Sequence, residues 1–536
     1  MTTATTRVEE RRPVVAPPRP AAPRTRLARG EPRQPVVLRA VLLVAAVAFV
    51  ACYLAVAFAR FTYPYPLEWM EGGVLLHVQR VLHGQQLYVA PSIRFTPFLY
   101  TPLYYYVSAA VSWLLGAHLW TLRLVSIVAS VVAFAALGRL VWVETRDRWA
   151  SLVAVGLFAA CYTISGAWLD LARVDSLFLA LLLVGLWLVR RATSRPAVLV
   201  AGLVLAASYL TKQSALLPIV CVVPFLWRRG RVLALVYGAT VGIVLAGTTL
   251  WMDHATGGWF SAYTLRLAGQ HAVATSEYVG FFTHDLLAPV GVGLVVGALG
   301  LLAYRRGDAG WFWIPVTAGL VLASYTARLH TGGYSNVLLP AYAAVAMAVG
   351  LGLHAVTRPG VLARHPLAVR CLLLATVAMF AALVYNPFHQ VPPASSTRAG
   401  RALVADLATL PGPVYLPSQS WLLPEARPGA ATTAQSAAMG DILRAHLRGS
   451  NRTLSRELRD AVAAHEFGSV VADSPRALSY LPSNFTTEYC EVGRLPARDR
   501  LEPVTGTRTV PATVWVPRTD RAPCRDQGLV RLPALG

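Results

Sequence analysis

Eleven apolar segments, each about long enough to cross a bilayer, occupy most of the chain between residues 37 and 385. A helix needs about 20 apolar residues to cross some 30 Å of hydrocarbon, and the shortest segments reach this length only with their flanks. Only 14% of the residues are charged, against about 25% in soluble domains, which excludes a soluble enzyme. The sequence predicts an all-α polytopic membrane protein of about eleven transmembrane helices. The segments lie at roughly 37–59, 120–141, 150–168, 175–189, 197–211, 214–227, 232–252, 286–304, 311–326, 336–356 and 367–385.

A twelfth apolar stretch, Tyr100 to Gly116, carries a proline and three consecutive tyrosines near its start. Aromatic side chains of this kind favour the headgroup region of a bilayer. We therefore expect an interfacial or re-entrant helix in the first outer loop and not another span.

The arginines predict the orientation of the chain, because short cytoplasmic loops carry an excess of basic residues. With eleven spans and a cytoplasmic N-terminus, every arginine-rich short loop falls inside, whereas a twelfth span would turn these loops outward. We predict a multi-pass protein of the cell (plasma) membrane with its C-terminal domain outside. The arginines concerned are Arg139, Arg146, Arg148, Arg190, Arg191, Arg195, Arg228, Arg229, Arg231, Arg305, Arg306, Arg358 and Arg364.

Three regions follow from this pattern. Residues 1–35 are rich in arginine and proline, which predicts a disordered basic cytoplasmic tail. Residues 36–385 form the predicted transmembrane catalytic domain. Residues 386–536 alternate strand-like runs at 414–416, 470–472 and 512–516 with amphipathic helical stretches, which predicts a small extracytoplasmic α/β domain.

Cys490 and Cys524 are the only cysteines in this last region. Disulfides persist in an oxidising envelope compartment, so we predict that these two pair. The net charge of +22 comes almost entirely from arginine. This skew mostly reports GC-rich codon usage, and we predict no nucleic-acid partner.

The first outer loop contains two carboxylates three residues apart, Glu68 and Glu71, followed by Gly72 and Gly73. On a helix, this spacing projects both to one side. Partial desolvation would raise their pKa values and suit one of them for general-base work. The alternative is an acidic first turn that complements a helix dipole.

Two further groups of charged residues lie beside apolar runs, where they are costly unless they pair or function. The first is Asp170, Arg173 and Asp175; Asp170 and Arg173 could simply neutralise each other. The second is Lys212, the only lysine in the chain. A compact ammonium suits a phosphate oxygen, whereas the alternative is a snorkelling side chain.

A polar segment with paired glycines runs from Arg328 through His330 to Asn336. Paired glycines allow close backbone approach to a ligand, although a plain turn between two spans is the alternative. Asp253, His254, His271, His284 and Asp285 could assemble a divalent metal site, but their spacing matches no metal template. A divalent ion as cofactor is left open.

Together these motifs resemble the membrane glycosyltransferases of the GT-C class, which includes protein O-mannosyltransferase-like and lipid A aminoarabinose-transferase-like enzymes. The resemblance covers roughly residues 38–385 and leaves out the C-terminal domain. The motifs that carry it are Glu68-x-x-Glu71-Gly, Gly84…Tyr88, Tyr100-Thr-Pro-Leu-Tyr104, Arg173-x-Asp175, Lys212-Gln-Ser214 and Gly333-Tyr-Ser-Asn336…Leu-Leu-Pro340.

The resemblance implies a hexosyl- or pentosyltransferase that moves a sugar from a polyprenyl-phosphate donor to a hydroxyl of a glycan, lipid or protein on the outer face. It places Glu71 as the catalytic base, where the family often has Asp, with Glu68 and Asp175 as the other catalytic candidates. The predicted donor-binding residues are Asp170, Arg173, Lys212, His330 and Asn336.

The residues agree with this chemistry, because an attacking hydroxyl must lose a proton and a departing phosphate gains charge. A transporter or lipid flippase is the main alternative. No inverted repeat is evident in the sequence, however, and the ionisable groups gather at one face. A non-catalytic sugar-binding scaffold is a third possibility.

Overall fold

The computed structural model describes Thr2 and residues 35–473, 481–496 and 500–518. The predicted basic tail at 1–35 therefore lies almost entirely outside the described residues. The chain is mostly helical, and residues 36–256 contain ten α-helices. They are α1 (Val36–Arg60), α2 (Glu71–Leu82), α3 (Leu103–Leu115), α4 (Leu119–Thr145), α5 (Arg148–Ala160), α6 (Asp175–Arg191), α7 (Arg195–Thr211), α8 (Leu216–Cys221), α9 (Val223–Arg229) and α10 (Arg231–Thr256).

The second part of the helical region contains an irregular segment at 257–287 and four long helices. Short π-helical turns at Ala262–Leu267 and Phe281–Leu287 and 3₁₀ turns at Ala268–Gln270 and Ser335–Leu338 connect them. The helices are α11 (Trp259–Ser261), α12 (Glu277–Gly280), α13 (Ala288–Ala303), α14 (Gly307–Arg328), α15 (Leu339–Thr357), α16 (Val361–Arg364) and α17 (Pro366–Ala382), of which α13, α14, α15 and α17 are the four long ones.

Five helical stretches in the described part of the chain are long and apolar enough to cross a membrane, and a bent pair makes a sixth if it counts as one span. The predicted number of eleven is not confirmed. Several predicted segments are shorter or broken: the one at 150–168 leaves the helix after Ala160, and the one at 214–227 divides at Val222, just before Pro224. The five are Val36–Arg60, Leu119–Thr145, Arg231–Thr256, Glu277–Ala303 and Ser335–Thr357, and the bent pair is Pro366–Ala382 with Pro387–Thr409.

Helix α3 covers the stretch that we expected to be interfacial or re-entrant. Its 13 residues extend only about 20 Å at 1.5 Å per residue. This is shorter than the hydrocarbon core of about 30 Å.

Small residues allow the central helices to pack closely. Nearly every residue of α15 is buried. A Cβ atom at Gly352 of α15 would lie 2.0 Å from the carbonyl oxygen of Val296, and one at Gly300 of α13 would lie 2.5 Å from the Gly352 nitrogen. Glycines at such contacts are how helices approach each other in membranes.

The C-terminal region is a small mixed sheet with helices around it, as predicted. The sheet order is β1-β2-β4-β3, with β1 and β2 parallel and the other two pairs antiparallel. Strands were expected at three of these four places, and β3 was not predicted. The elements are α18 (Ala394–Thr409), β1 (Val414–Tyr415), α19 (Leu423–Ala426), α20 (Ser436–Arg444), α21 (Ser450–Ala463), β2 (Ser469–Ala472), α22 (Phe485–Glu488), β3 (Tyr489–Arg494) and β4 (Thr513–Pro517).

Cys490 lies in β3, where its backbone pairs in register with Val516 of β4. It is buried and disulfide-bonded. Its predicted partner Cys524 lies outside the described residues, so the pairing of these two cysteines stays a prediction.

Apolar contacts join this C-terminal region to the first outer loop. Val74 of α2 and Tyr104 of α3 belong to the same buried cluster as Met439 of α20 and Leu454 of α21. The indole ring of Trp421 lies against Gly72, where a Cβ atom would meet it at 2.1 Å. The first outer loop and the C-terminal region thus lie at the same end of the helical bundle.

Candidate functional site

Glu71, the predicted base, is the first residue of α2 and is completely buried. Arg123 of α4 donates to both of its oxygens, at 3.1 Å to Oε1 and 2.7 Å to Oε2. The backbone N–H of Ala172 also donates to Oε1, and that of Leu67 donates to Oε2, both at 2.6 Å. All hydrogen bonds of this carboxylate are therefore made within the protein, which suits a group that holds three chain segments together.

Glu68 lies one turn earlier and is bonded on one oxygen only. Its Oε2 accepts from Arg173 at 3.0 Å and from the Met70 N–H at 3.1 Å. Its Oε1 is buried and has no hydrogen-bond partner among the described residues. Burial raises the pKa of Glu68 to about 7, although Arg173 opposes the rise. A buried carboxylate with a free oxygen and a pKa near neutrality is suited to accept a proton.

Arg173 connects Glu68 to the aromatic stretch before α3. Its guanidinium donates to Glu68 and, at 2.8 Å, to the hydroxyl of Tyr100. Its Nε is buried and makes no hydrogen bond within the described ranges. The expected alternative pairing of Arg173 with Asp170 is not what the structure shows.

Asp170 pairs instead with Arg60, at the end of α1. The two form a bidentate contact of 2.6 and 2.7 Å, and Tyr162 donates to the same carboxylate at 2.8 Å. Arg60 also donates to the Ala167 carbonyl at 2.8 Å. These contacts fasten the irregular segment between α5 and α6, and the donor-binding role of Asp170 stays a prediction.

Asp175 and Lys212 form the second half of the site. The Nζ of Lys212 lies 2.6 Å from Oδ1 of Asp175, and Asn336 donates to the same oxygen at 2.9 Å. The other oxygen, Oδ2, is buried and unpartnered in the part of the chain that the structure describes. The predicted residues Asp175, Lys212 and Asn336 are thus brought together from three separate segments.

Three polar atoms of these charged side chains are buried and have no partner among the described residues: Glu68 Oε1, Arg173 Nε and Asp175 Oδ2. Buried polar groups are nearly always hydrogen-bonded, so unpartnered ones need an explanation such as a ligand site. Two carboxylates and two cations make the cluster electrically balanced. It offers one proton acceptor and two cationic groups within a single end of the bundle.

A segment of the C-terminal region, Leu501–Thr509, lies directly over Glu68. Here we call it the covering segment. The N–H groups of Val504 and Thr505 both donate to the Leu67 carbonyl, at 2.9 and 3.0 Å, and the Thr505 hydroxyl donates to the Gly166 carbonyl at 2.7 Å. A Cβ atom at Gly506 would lie 3.1 Å from Glu68 Oε1, and φ at this glycine is +80°. The sequence carried no signal for this contact beyond a turn-forming glycine.

His330 lies apart from these groups. It forms an isolated bridge with Val273 of the second outer loop, and its ring lies 6.3 Å from that of His271. Its neighbour Arg328 pairs with Asp285 at 2.8 Å. The contacts of His330 thus lie with the second outer loop, whereas Asn336 contacts the Asp175 carboxylate.

The residues proposed for a metal site do not converge. Among the described residues, no three His, Cys, Asp or Glu side chains lie close enough together to hold a metal ion. The Asp253 carboxylate accepts from the Ser261 N–H at 2.8 Å, and Asp285 pairs with Arg328. Glu68 is paired with Arg173, and Asp175 is paired with Lys212.

Three contributors to the site were not among the predicted site residues: Arg60, Arg123 and Tyr100, although Tyr100 belongs to one of the motifs that carry the resemblance. Arg60 and Arg123 lie at the ends of long apolar helices, where a buried arginine implies a buried acid. That signal was present, but it does not say which acid is the partner.

No protein-family model matches the chain, and no curated protein matches it in sequence. Solved structures do match its fold. ArnT from Cupriavidus metallidurans bound to undecaprenyl phosphate is 12% identical, with a TM-score of 0.55 over 89% of this chain and 98% of that one. The apo state of the same enzyme is 13% identical, with a TM-score of 0.54 over 88% and 97%.

The oligosaccharyltransferase of Archaeoglobus fulgidus, solved with Zn and sulfate, is 12% identical. Its TM-score is 0.52 over 88% of this chain and 73% of that one. The chain has the GT-C fold that these glycosyltransferases share, as the sequence motifs led us to expect.

Proposed function

We propose that this protein is a membrane glycosyltransferase that moves a sugar from a polyprenyl-phosphate donor to an acceptor hydroxyl, with Glu68 as the general base. The observation that carries the proposal is the buried Oε1 of Glu68, which has no hydrogen-bond partner among the described residues. Arg173 bonds the other oxygen of this carboxylate, and Lys212 contacts Asp175. The shared fold supports the proposal, as does the undecaprenyl phosphate bound in the structure of ArnT.

The reaction follows from these groups. The acceptor oxygen attacks the anomeric carbon of the donor sugar as the bond from that carbon to the phosphate oxygen breaks. The acceptor proton passes to Glu68 Oε1, and the polyprenyl phosphate leaves as an anion. A positioned base of this kind contributes about 10²–10⁴-fold to the rate.

Glu68 is a better candidate than Glu71 or Asp175 because of what each carboxylate already binds. Both oxygens of Glu71 are occupied by Arg123 and by backbone N–H groups. Asp175 has a free oxygen, but its other oxygen contacts the Lys212 ammonium at 2.6 Å, which favours the charged form. Of these three carboxylates, Glu68 alone combines an oxygen without a partner among the described residues with a pKa of about 7.

In this proposal, cationic side chains stabilise the negative charge of the leaving phosphate. Arg173 has a free N–H at Nε, and the Lys212 ammonium has two N–H groups beyond the one that faces Asp175. Preorganised donors aimed at developing charge are a large source of rate enhancement.

The test is a transfer assay with purified protein in nanodiscs and labelled polyprenyl-phosphate sugars. Glu68→Gln should lower transfer by about 10²–10⁴-fold while donor binding is largely kept. Glu466→Gln is the matched control, since Glu466 pairs with Arg94 at the surface of the C-terminal region. In sealed proteoliposomes, movement of intact donor across the bilayer without any product would favour the transporter.

We also propose that the site faces the outside of the cell membrane. The arginine-rich loops support this orientation, as does the C-terminal region that shares the end of the bundle with the site. Reporter fusions after Arg306 and after Tyr385 should read cytoplasmic and outer sides respectively. The same side for both would contradict the orientation.

A further inference from the structure

A small cavity lies between the first outer loop and the C-terminal region, next to Glu68. It has room for about one water-sized group, and none of its wall residues is charged. The walls come from the outer loop, from the turn after β1 and from the covering segment. They are Pro66, Trp69, Gln419, Leu501, Pro503 and Thr509.

Two residues of these walls carry buried polar atoms that lack partners. The indole Nε1–H of Trp69 and the side-chain Oε1 of Gln419 make no hydrogen bond with any residue in the described ranges. Gln419 is only 4% exposed, so bulk water does not satisfy it. An unpaired buried polar group costs about 1–3 kcal/mol, which a bound group of the right chemistry would recover.

The two atoms define that chemistry. An indole N–H only donates, and an amide oxygen only accepts. A carboxylate or phosphate would leave Gln419 unsatisfied, and an ammonium would leave Trp69 unsatisfied. A hydroxyl both donates and accepts, so a single hydroxyl can satisfy both.

Gly506 connects this cavity to the proposed base. A Cβ atom there would lie 3.1 Å from Glu68 Oε1 and 3.0 Å from Cδ1 of Trp69, the carbon bonded to Nε1. The free oxygen of Glu68 and the pyrrole edge of Trp69 therefore face the same residue of the covering segment. A group bound in the cavity would be a near neighbour of the group that reacts at Glu68.

We infer that the acceptor is a carbohydrate, with one hydroxyl reacting at Glu68 and an adjacent hydroxyl held by Trp69 and Gln419. This inference rests on the proposed function. A serine or threonine side chain and a simple lipid alcohol offer one hydroxyl, which would leave the cavity atoms unpaired.

The experiment compares acceptors in the nanodisc assay with labelled polyprenyl-phosphate sugars. The probes are methyl pentofuranosides and hexopyranosides, their monodeoxy analogues, and N-acetylthreonine amide as a single-hydroxyl acceptor. Hydrolysis of the donor by water is measured in parallel, because it reports the proposed function without any acceptor. The variants are Gln419→Leu and Trp69→Phe, and Trp421→Phe is the matched control. Trp421 carries an equally unpartnered indole N–H that does not line the cavity.

For the wild type, we expect a KM for the best glycoside about tenfold below that of the monodeoxy analogue that lacks the adjacent hydroxyl. Gln419→Leu and Trp69→Phe should each abolish most of this ratio. Trp421→Phe should keep it. Trp69→Phe preserves the aromatic ring, so it reports on the N–H even where Gln419→Leu fails to fold.

Two results would overturn the inference alone. One is a wild type that hydrolyses the donor but uses N-acetylthreonine amide as well as the glycosides. The other is an unchanged preference for the adjacent hydroxyl in Trp69→Phe, which would mean that the cavity holds only water. A wild type that neither hydrolyses nor transfers the donor sugar would overturn the proposed function, and this inference with it.

Discussion

Arg123 and Glu71 form a bidentate ion pair in which neither side chain is exposed to solvent. The same arginine donates to the carbonyls of Tyr63 and Tyr65, at 2.5 and 2.7 Å. The pair therefore fastens the first outer loop to α4. Loss of one partner would leave an uncompensated buried charge, which costs about 3–5 kcal/mol.

This pair predicts that Glu71→Gln is a folding variant more than a catalytic one. We expect a lower melting temperature and poor recovery from the membrane. The double variant Glu71→Met with Arg123→Met should recover part of the loss, because removing both charges leaves neither unpaired. A Glu71→Gln protein with the wild-type melting temperature but no transfer activity would instead restore Glu71 as the base.

The pH profile of transfer should report Glu68. Burial raises its pKa to about 7, and a general base must be deprotonated to act. The rate should therefore fall about tenfold per pH unit below this value and level off above it. Glu68→Gln should lack this acidic limb in whatever activity remains. An unchanged acidic limb in that variant would assign the titration to another group.

Lys212→Ala should weaken donor binding or slow the chemical step, and it leaves Asp175 without its cation. Lys212→Arg should keep part of the function, because the charge is retained and the shape is not. The measurement is donor affinity by equilibrium binding, together with the single-turnover rate. Wild-type kinetics in Lys212→Ala would reduce Lys212 to an anchor at the membrane boundary.

Gly506→Ala should inactivate the enzyme without unfolding it. Its φ of +80° disfavours any side chain, and the new Cβ would press on Glu68 and Trp69. Gly493→Ala is a matched control in the same region, since a Cβ there meets nothing within 4 Å. Full activity of Gly506→Ala would show that the covering segment moves away from Glu68 during turnover.

The disulfide of Cys490 should join it to Cys524. This bond would close a loop of about 35 residues and stabilise the domain by a few kcal/mol on the chain-entropy model. Peptide mapping without reduction should yield a linked Cys490–Cys524 peptide, and reduction should lower the melting temperature of the C-terminal region. A free thiol at Cys524 in the mapped protein would contradict the pairing.

The sequence by itself determined that the chain is a membrane protein with a small C-terminal α/β domain. It also marked Glu68, Glu71, Arg173, Asp175 and Lys212 as candidates. These inferences depend on local properties, namely apolar length and the cost of a charge beside an apolar run. Local patterns also identified three of the four strands, whereas helix breaks such as the one at Val222 escaped them.

Only the tertiary structure decided which polar or basic side chain pairs with which acid. Arg123 is 52 residues from Glu71, Arg60 is 110 from Asp170, and Asn336 is 161 from Asp175. Glu71 accepts four hydrogen bonds and Glu68 has an unpartnered oxygen among the described residues, yet nothing in the sequence distinguishes these two acids, which lie three residues apart. The difference arises because folding assigns distant donors to Glu71 and leaves Oε1 of Glu68 facing Gly506, and such long-range pairing leaves no periodic trace in the chain.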